Sequence, residues 1–261
     1  MIASLPMYDW PEIRSATDAW WTGLARHLRA QGLRGVPRAL VRGGPLAAVW
    51  AHPALLLSQT CGLPLARRFH RNLQVVATPC YAAEGCDGPT YSSAILVRAD
   101  SGIHGLDDLR DRVAAYNSTD SLSGHLALRL VLADRGPLLR ATIETGSHAA
   151  SMAAVAEGRA DVCAIDCVSY AIAARYRPAL IADLRSIAWS PPMPALPYVT
   201  GTRRSDTEVA ALCAGLRAAA QDPALAECRA ALLLGDFELA PGDAYAAIGR
   251  IDAATPELAF G

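Results

Sequence analysis

The sequence predicts an α/β fold divided into two lobes. Short apolar runs alternate with alanine- and leucine-rich stretches of helical spacing, as expected for strands joined by helices in a mostly parallel sheet. The chain has 261 residues, of which 52% are hydrophobic and 19% charged, so it can build a core in each lobe. We expect one lobe at residues 1–95 plus 190–261 and the other at 96–189. Two crossings, near 91–94 and 190–197, would form a hinge.

The first lobe begins with a strand and a long helix. The segment Ser15–Gln31 carries apolar residues at helical spacing and is followed by Gly32, a residue common after helix C-termini. Leu46–Trp50 predicts a short helix. Strands are predicted at Ile2–Met7, Arg38–Val41, Ala54–Leu57 and Leu73–Thr78.

The second lobe repeats this alternation, and the C-terminal third is predicted to be mainly helical. Strands are expected at Ser93–Arg98, Arg112–Tyr116, Ala160–Ile165 and Ser186–Trp189. Helices are expected at Gly124–Asp134, from Ser147 or His148 to about Gly158, and at Thr207–Gln221, Ala224–Leu234 and Ala244–Ile248.

Composition excludes several classes of protein. The 24 basic residues balance 25 acidic ones, so no charge excess points to nucleic acid or to an anionic membrane. All the basic residues are arginine, and the lack of lysine excludes Schiff-base enzymes and lysine-bearing P-loop ATPases. No apolar stretch is long enough to insert into a membrane. The sequence carries none of the common catalytic, metal or dinucleotide motifs, and we predict no cofactor and no metal.

Cysteines and the N-terminus bear on the compartment. Seven cysteines without a CxxC pair are interpreted mostly as small buried residues in a reducing compartment. Cys61 is the best candidate for a reactive thiol, although a buried thiol is the safer interpretation. The N-terminus shows no secretory signal as written, which predicts a cytoplasmic protein, or a periplasmic one if a leader is missing from this numbering.

A polar loop precedes the first helix of the second lobe. The segment from Asn117 to His125 reads NSTDSLSGH and links a strand to a helix. The N–H groups of the first helical turn attract anions, and the hydroxyls of Ser121 and Ser123 add donors. The alternative is that Asp120 or Ser121 is only an N-cap.

Two more polar positions lie at strand ends of the same lobe. Ser147 and His148 follow one strand and are expected to face the same anion, or alternatively to be an N-cap and an incidental histidine. Asp166 ends another strand, where an acid can meet a ligand or cap the next helix. Ser123, His148 and Asp166 also have the residue types of a hydrolytic triad, but they suit an anion clamp equally well.

The first lobe offers polar residues at matching positions. Tyr8, the run Ser58-Gln59-Thr60 and Tyr81 each follow a predicted strand. Ligands of open α/β sheets bind at the carboxyl ends of strands, so these side chains are candidates too.

Five segments taken in order carry a resemblance to a known family. They are YSS at 91–93, SGIHGLDDLR at 101–110, SLSG at 121–124, GSH at 146–148 and GRAD at 158–161. This order resembles the phosphate/phosphonate-binding proteins of ABC importers, which have the type 2 periplasmic binding-protein fold with hinge crossings.

The resemblance implies a role for individual residues. The family's serine-rich anion loop falls on Ser121, Ser123 and Gly124, and its histidine falls on His148. Its cleft aromatics fall on Tyr8 and Tyr91, and an acid that meets a ligand amine falls on or near Asp166. The chain departs from the family in having Leu122 for a frequent threonine and His125 for a frequent tyrosine.

The predicted function is therefore solute binding, in which two lobes close over a small phosphate- or phosphonate-like anion or a related organic anion. An ABC permease is the partner that the resemblance implies. The alternatives are an enzyme of the same fold with His148 and Asp166 as acid and base, or an intracellular ligand sensor. The candidate ligand residues are Tyr8, Ser58, Gln59, Thr60, Tyr91, Asn117, Ser121, Ser123, Gly124, His125, Ser147, His148 and Asp166.

Overall fold

The computed structural model describes residues 1–136, 138–238 and 243–258, and it confirms the α/β class. The strands are β1 (Ile2–Ser4), β2 (Leu55–Gln59), β3 (Leu73–Tyr81), β4 (Cys86–Asp87), β5 (Thr90–Tyr91), β6 (Ser93–Arg98), β7 (Arg112–Tyr116), β8 (Leu139–Glu144), β9 (Val162–Asp166), β10 (Leu184–Trp189), β11 (Met193–Pro194), β12 (Tyr198–Gly201) and β13 (Leu234–Glu238).

The helices of the described residues are α1 (Arg14–Ala30), α2 (Leu46–Trp50), α3 (Gly62–Pro64), α4 (Ala127–Leu132), α5 (His148–Ala156), α6 (Cys167–Tyr176), α7 (Pro178–Ile181), α8 (Asp206–Ala220), α9 (Ala226–Ala231) and α10 (Ala244–Ala254). Two π-helical turns, Leu65–Phe69 and Leu122–Leu126, follow α3 and precede α4.

The chain forms two compact units. The first comprises residues 1–82, 87–89 and 194–246, and the second comprises 83–86, 90–193 and the described residues after 246. These units assign 83–86, 90–95, 190–193 and the described residues after 246 to the second unit, whereas the sequence analysis puts them in the first lobe. The physical reason is that β6 pairs with β9 and β10, while Arg129 of α4 binds Asp252 of α10.

The first unit is built on one sheet with the strand order β1-β2-β12-β3-β13. Helix α1 buries Trp20, Leu24 and Leu28, which lie one turn apart on one face. The indole of Trp20 donates a hydrogen bond to the hydroxyl of Tyr198 on β12 at 3.2 Å. The helix is therefore fixed to the sheet by apolar burial and by a buried hydrogen bond.

The second unit is built on a sheet with the strand order β10-β6-β9-β7-β8. Ile95 and Val97 point to the same face of β6 because they are two residues apart, and they share one core cluster with Val162 of β9. Leu128 and Leu132 of α4 join this cluster at a spacing of four residues. The core therefore fixes α4, and with it the turn that precedes α4, against the sheet.

The expectation of mostly parallel strands is wrong. Strand β12 runs antiparallel to both β2 and β3, and β6 runs antiparallel to both β9 and β10. Strand β6 is buried along nearly its whole length, so its continuous apolar run has the pattern typical of a parallel strand although its neighbours run antiparallel. Among the described residues, β1 pairs in parallel with β2, and β7 pairs in parallel with both β8 and β9.

Two predicted elements also differ. Arg38–Val41 is not a strand, since Pro37 and the left-handed Gly43 and Gly44 (φ of 79° and 76°) bound it closely. The predicted helix Ala224–Leu234 gives way to strand β13, because Leu233 adopts a φ of 54° that ends the helical path.

Candidate functional site

The carboxyl ends of β7 and β8 bring two polar loops together. The strands are parallel neighbours, and Tyr116 pairs with Glu144 at their ends. Beyond the strands, the N–H of Thr145 donates to the carbonyl of Tyr116 and the N–H of Gly146 donates to that of Asn117, both at 2.9 Å. The loop after β7 and the start of α5 therefore lie side by side.

Thr145 is a residue that the sequence analysis did not assign to the site. Its hydroxyl lies 3.0 Å from the carbonyl oxygen of Tyr116 and 2.7 Å from the hydroxyl oxygen of Ser151. The sequence feature that could have identified Thr145 is a hydroxyl-bearing residue directly after a strand and directly before a glycine. Thr145 therefore holds the start of α5 against the end of β7.

Ser121 caps the turn that leads into α4. Its hydroxyl oxygen accepts a hydrogen bond from the N–H of Gly124 at 2.9 Å, so Ser121 is an N-cap, while its role in ligand binding stays a prediction. The side-chain amide of Asn117 lies directly over Gly124, where an added Cβ would be 2.0 Å from Asn117 Oδ1. Gly124 is therefore needed for the close approach of these two loop segments.

The turn itself is π-helical. Leu126 N donates to the carbonyl of Ser121 at 3.0 Å and Ala127 N donates to that of Leu122, which are bonds between residues five apart. Such turns are rare and are frequently found at functional sites. His125 is buried in this turn, with its ring 4.8 Å from that of Tyr116, and its ligand role stays a prediction.

Ser123, His148 and Asp166 are brought together as the sequence analysis expected. The Nε2 atom of His148 lies 2.9 Å from the hydroxyl oxygen of Ser123 and 3.2 Å from Asp166 Oδ2. The other carboxylate oxygen of Asp166 accepts from the N–H of Ser169 at 2.8 Å, which caps α6. Asp166 therefore orients the imidazole and begins a helix at the same time.

These contacts determine where the imidazole carries its proton. A carboxylate only accepts hydrogen bonds, so the neighbouring Nε2 must be the protonated nitrogen. The second ring nitrogen, Nδ1, is buried and makes no hydrogen bond to any residue that the structure describes. A buried polar atom that lacks a partner is costly, so Nδ1 is the atom of this cluster that is ready for a ligand.

The hydrolytic-triad interpretation does not fit this geometry. In a triad, the serine and the acid contact opposite nitrogens of the histidine, so that the proton relay passes through the ring. Here Ser123 and Asp166 both contact Nε2. Asp166 cannot hold the ring in the tautomer that would let Nε2 accept the proton of Ser123.

Burial controls the charge of His148. Desolvation lowers the pKa of His148 from its ordinary value of 6.5, and the charge of Asp166 only partly opposes this effect. The folded protein therefore holds the imidazole in its neutral form more strongly than the unfolded chain does.

We expect the stability of the second unit to fall as the pH decreases below about 6.5. The pKa of His148 is lower in the folded state, so the unfolded chain binds the proton first and gains free energy from it. The contribution of His148 to the free energy of unfolding is fully present above the pKa of the unfolded chain, and it is lost as the pH falls toward the pKa of the folded protein. Urea unfolding at several pH values between 8 and 5 measures how the free energy of unfolding depends on pH. The variant His148→Gln should show a weaker dependence on pH than the parent protein. If the variant showed the same dependence on pH as the parent, the effect would not come from His148.

The remaining candidates of the second unit lie at the same strand ends or in the core. Ser147 is exposed and caps α5 by accepting from the N–H of Ala150 at 3.1 Å. Tyr91 is buried on β5 with 2% of its surface exposed. Their contribution to ligand binding stays a prediction.

Ser58, Gln59 and Thr60 are buried at the end of β2, whereas Tyr8 is buried in a turn beyond β1, which ends at Ser4 and not at Met7 as predicted. The hydroxyls of Ser58 and Thr60 lie 3.3 Å and 3.2 Å from the carbonyl oxygens of the residues that follow them. The amide of Gln59 donates to the hydroxyl of Tyr81 at 2.9 Å, and the ring of Tyr81 meets that of Tyr8 edge to face. Polar and aromatic side chains therefore lie close together near the ends of β2 and β3, and their role in ligand binding stays a prediction.

No group of three or more His, Cys, Asp or Glu side chains within the described ranges is arranged to hold a metal ion. None of the helices described is both long and apolar enough to cross a bilayer.

Known structures share this fold at low sequence identity. PhnD1 from Prochlorococcus marinus in complex with methylphosphonate is 16% identical, with a TM-score of 0.75 and coverage of 97% of this chain and 96% of that one. A Xanthomonas citri protein bound to chloride is 17% identical, with a TM-score of 0.74 and coverage of 97% and 96%. A binding-protein component of an ABC phosphonate transporter from Pseudomonas aeruginosa is 16% identical, with a TM-score of 0.74 and coverage of 97% and 85%.

No curated protein sequence matches the chain. Residues 56–245 match the family described as "ABC transporter, phosphonate, periplasmic substrate-binding protein". The match extends over well more than half of the sequence, and it agrees with the resemblance and with the solute-binding function inferred from the motifs. The chain therefore belongs to the family of periplasmic substrate-binding proteins of phosphonate ABC transporters.

Proposed function

We propose that this protein binds a small phosphonate- or phosphate-like anion at the cluster of Ser123, His148 and Asp166 in its second unit. The observation that carries the proposal is the buried Nδ1 of His148, which makes no hydrogen bond to the described residues while Nε2 is held by Ser123 and Asp166. The N–H groups at the start of the Leu122–Leu126 turn and of α5 provide further donors for anion oxygens.

The protonation state of His148 favours an anion that brings its own proton. With Nε2–H directed at Asp166, the neutral ring presents a lone pair at Nδ1, which repels a bare anionic oxygen. A phosphonate monoanion offers both a P–OH to donate to Nδ1 and charged oxygens to accept from hydroxyls and N–H groups. A carboxylate or sulfonate at neutral pH has no such proton.

Asp166 is assigned here as a positioning residue for His148. Its two oxygens are engaged by His148 Nε2 and by Ser169 N, and only 3% of its side chain is exposed. The alternative of direct contact with a ligand amine, which the resemblance implied, would require one of these bonds to be given up.

The ligands of the structural relatives agree with an anion site. PhnD1 from Prochlorococcus marinus is in complex with methylphosphonate, and the Xanthomonas citri protein is bound to chloride in one structure and to ATP in another; all three ligands are negatively charged. Membership of a periplasmic transport family fits the periplasmic alternative, and delivery of the ligand to a permease is the corresponding partner role.

The test is calorimetry with two ligands of the same shape. Methylphosphonate and methanesulfonate differ mainly in the proton that the phosphonate monoanion retains. We expect methylphosphonate to bind and methanesulfonate to bind roughly 100-fold more weakly, because the latter leaves Nδ1 facing an anionic oxygen. Phosphate and acetate complete the series, and acetate should bind as weakly as the sulfonate.

Equal affinity for methylphosphonate and methanesulfonate would contradict the role given to Nδ1, and no binding of any phosphorus anion would contradict the function. Mass spectrometry of the recovered ligand separates a binder from an enzyme. A binding protein returns methylphosphonate unchanged, whereas turnover would restore the enzymatic alternative.

A further inference from the structure

Two cysteines far apart in the sequence meet in the second unit. The sulfur atoms of Cys86 on β4 and Cys167 at the start of α6 are 3.2 Å apart, and neither cysteine is in a disulfide. A disulfide bond is about 2.05 Å long, so the sulfurs need to approach by only about 1.1 Å to form one.

The backbone holds the two cysteines in this position. Ser92 connects them, because its N–H donates to the carbonyl of Gly85 at 2.8 Å and its own carbonyl accepts from the N–H of Cys167 at 3.0 Å. The N–H of Cys86 donates to the carbonyl of Ala83 at 3.1 Å and closes the turn on that side. Both thiols are therefore attached to a fixed frame.

Gly85 makes the close approach feasible. Its φ is 91°, and a Cβ at this position would lie 2.6 Å from the ring of Trp189 and 3.0 Å from the Cβ of Cys167. Only a residue without a side chain lets the turn lie against α6.

The two thiols are suited to different steps of an exchange reaction. Cys86 is partly exposed, and the hydrogen bond from Cys167 lowers the pKa of its thiol. Cys167 is buried, and the same contact, together with burial and the charge of Asp166, raises the pKa of its thiol. Cys86 is therefore the group that an external disulfide reaches first.

Three of the other cysteines have different surroundings. Cys213 donates to the carbonyl of Val76 at 2.9 Å and Cys228 donates to that of Leu225 at 3.2 Å. Cys163 lies fully buried on β9, where burial alone raises the pKa of its thiol. These three serve as internal references for reactivity.

We propose that Cys86 and Cys167 form a disulfide when the protein meets a disulfide oxidant, such as glutathione disulfide or a dithiol–disulfide exchange protein. The Cys86 thiolate attacks one sulfur of the oxidant, releases one thiolate and forms a mixed disulfide. Cys167 then loses its proton and attacks the Cys86 sulfur, which releases the second thiol. Two S–H groups are converted to one S–S bond, and one molecule of oxidant is reduced to two thiols.

The disulfide would join the turn at residues 83–86 to the first residue of α6. Cys167 directly follows Asp166, whose carboxylate caps that helix and contacts His148. Oxidation would therefore fix the helix start that orients the histidine. The bond would close a loop of about 80 residues, which restricts the unfolded chain strongly.

The test is disulfide mapping of the full chain. The purified protein is equilibrated with glutathione disulfide, quenched in acid, alkylated under denaturing conditions and digested without reduction. We expect a linked Cys86–Cys167 peptide and alkylation of five of the seven cysteines. The oxidised protein should show a Tm higher by roughly 5 °C or more, and Cys86→Ser should abolish this increase.

Two glycine variants test whether the disulfide forms because the turn brings Cys86 close to Cys167 or only because the thiols are accessible to the oxidant. Gly85→Ala should lose most of the linked product, because its Cβ pushes the turn away from Cys167. Gly102→Ala is the matched control, since Gly102 also has a positive φ (68°) but an added Cβ meets no atom within 4 Å. This variant should form the disulfide as the parent does.

Alkylation of all seven cysteines after the oxidant, a stable glutathione adduct on Cys86, or a bond between another pair would each overturn the proposal. Equal loss of the linked product in both glycine variants would overturn the role of Gly85.

Discussion

Replacing His148 by glutamine should weaken methylphosphonate binding by roughly 10- to 100-fold, which corresponds to the loss of one hydrogen bond that involves a charged ligand. The amide nitrogen of glutamine reaches the position of Nε2, so the contacts to Ser123 and Asp166 can be kept. Glutamine has no atom that corresponds to Nδ1. Calorimetry measures the affinity, and a thermal melt shows that the fold is retained.

Asparagine at the same position is the complementary variant. Its amide occupies the position of Nδ1 but does not reach Ser123 or Asp166, so Asp166 loses a partner in a buried environment. We expect His148→Asn to melt at a lower temperature than His148→Gln and yet to retain more of the affinity. If His148 had only a structural role, the variant with the lower melting temperature would also be the one with the lower affinity for methylphosphonate.

The matched control is His104→Gln, a histidine on an exposed loop of the same unit. It should leave both the affinity and the melting temperature unchanged. If His148→Gln binds methylphosphonate as tightly as this control, Nδ1 does not contact the ligand and the proposed site is wrong.

The local apolar pattern was sufficient to predict several elements. Leu46–Trp50, Ser93–Arg98 and Arg112–Tyr116 have the bounds that the apolar pattern predicted. The strand β13 was missed, because a left-handed Leu233 ends the helical path and the alanine- and leucine-rich sequence before it reads as helix. Strand direction was missed for a related reason, since antiparallel pairing of β6 and β12 depends on partners distant in the chain.

The site could be predicted as a set of residues but not as a geometry. Ser123, His148 and Asp166 were expected together because each follows a strand end of one sheet. Which imidazole nitrogen meets Ser123 and Asp166 depends on the side-chain rotamer, and no spacing in the sequence encodes it. The contact between Cys86 and Cys167 is equally invisible, because the turn that Gly85 permits creates it across 81 positions.

The largest loss of stability is expected from Asp252→Ala. Asp252 Oδ1 accepts from Nη1 of Arg129 at 2.6 Å, and only 2% of the Arg129 side chain is exposed. The guanidinium also donates to the carbonyls of Asp252 and Pro256 at 2.9 Å and 3.0 Å, and to that of Thr255. It thereby connects α4, which follows the proposed anion loop, to the end of α10.

Within the part of the chain that the structure describes, removing the carboxylate leaves the buried positive charge with carbonyl oxygens and the exposed Glu257, whose Oε1 is 3.3 Å away, to balance it. Breaking a buried ion pair in this way costs about 3 kcal/mol of unfolding free energy. Urea unfolding followed by circular dichroism should show this loss as a lower midpoint with an unchanged slope.

Asp107→Ala is the control that shows how much of the stability loss is due to the burial of the ion pair. Asp107 also forms an ion pair with an arginine, Arg135, but 87% of its side chain is exposed. Water screens such a pair, so its removal should cost less than about 1 kcal/mol. Similar losses in Asp107→Ala and Asp252→Ala would mean that Arg129 reaches solvent when Asp252 is removed. In that case α10 detaches readily from α4, and this ion pair does not hold the helix behind the anion loop in place.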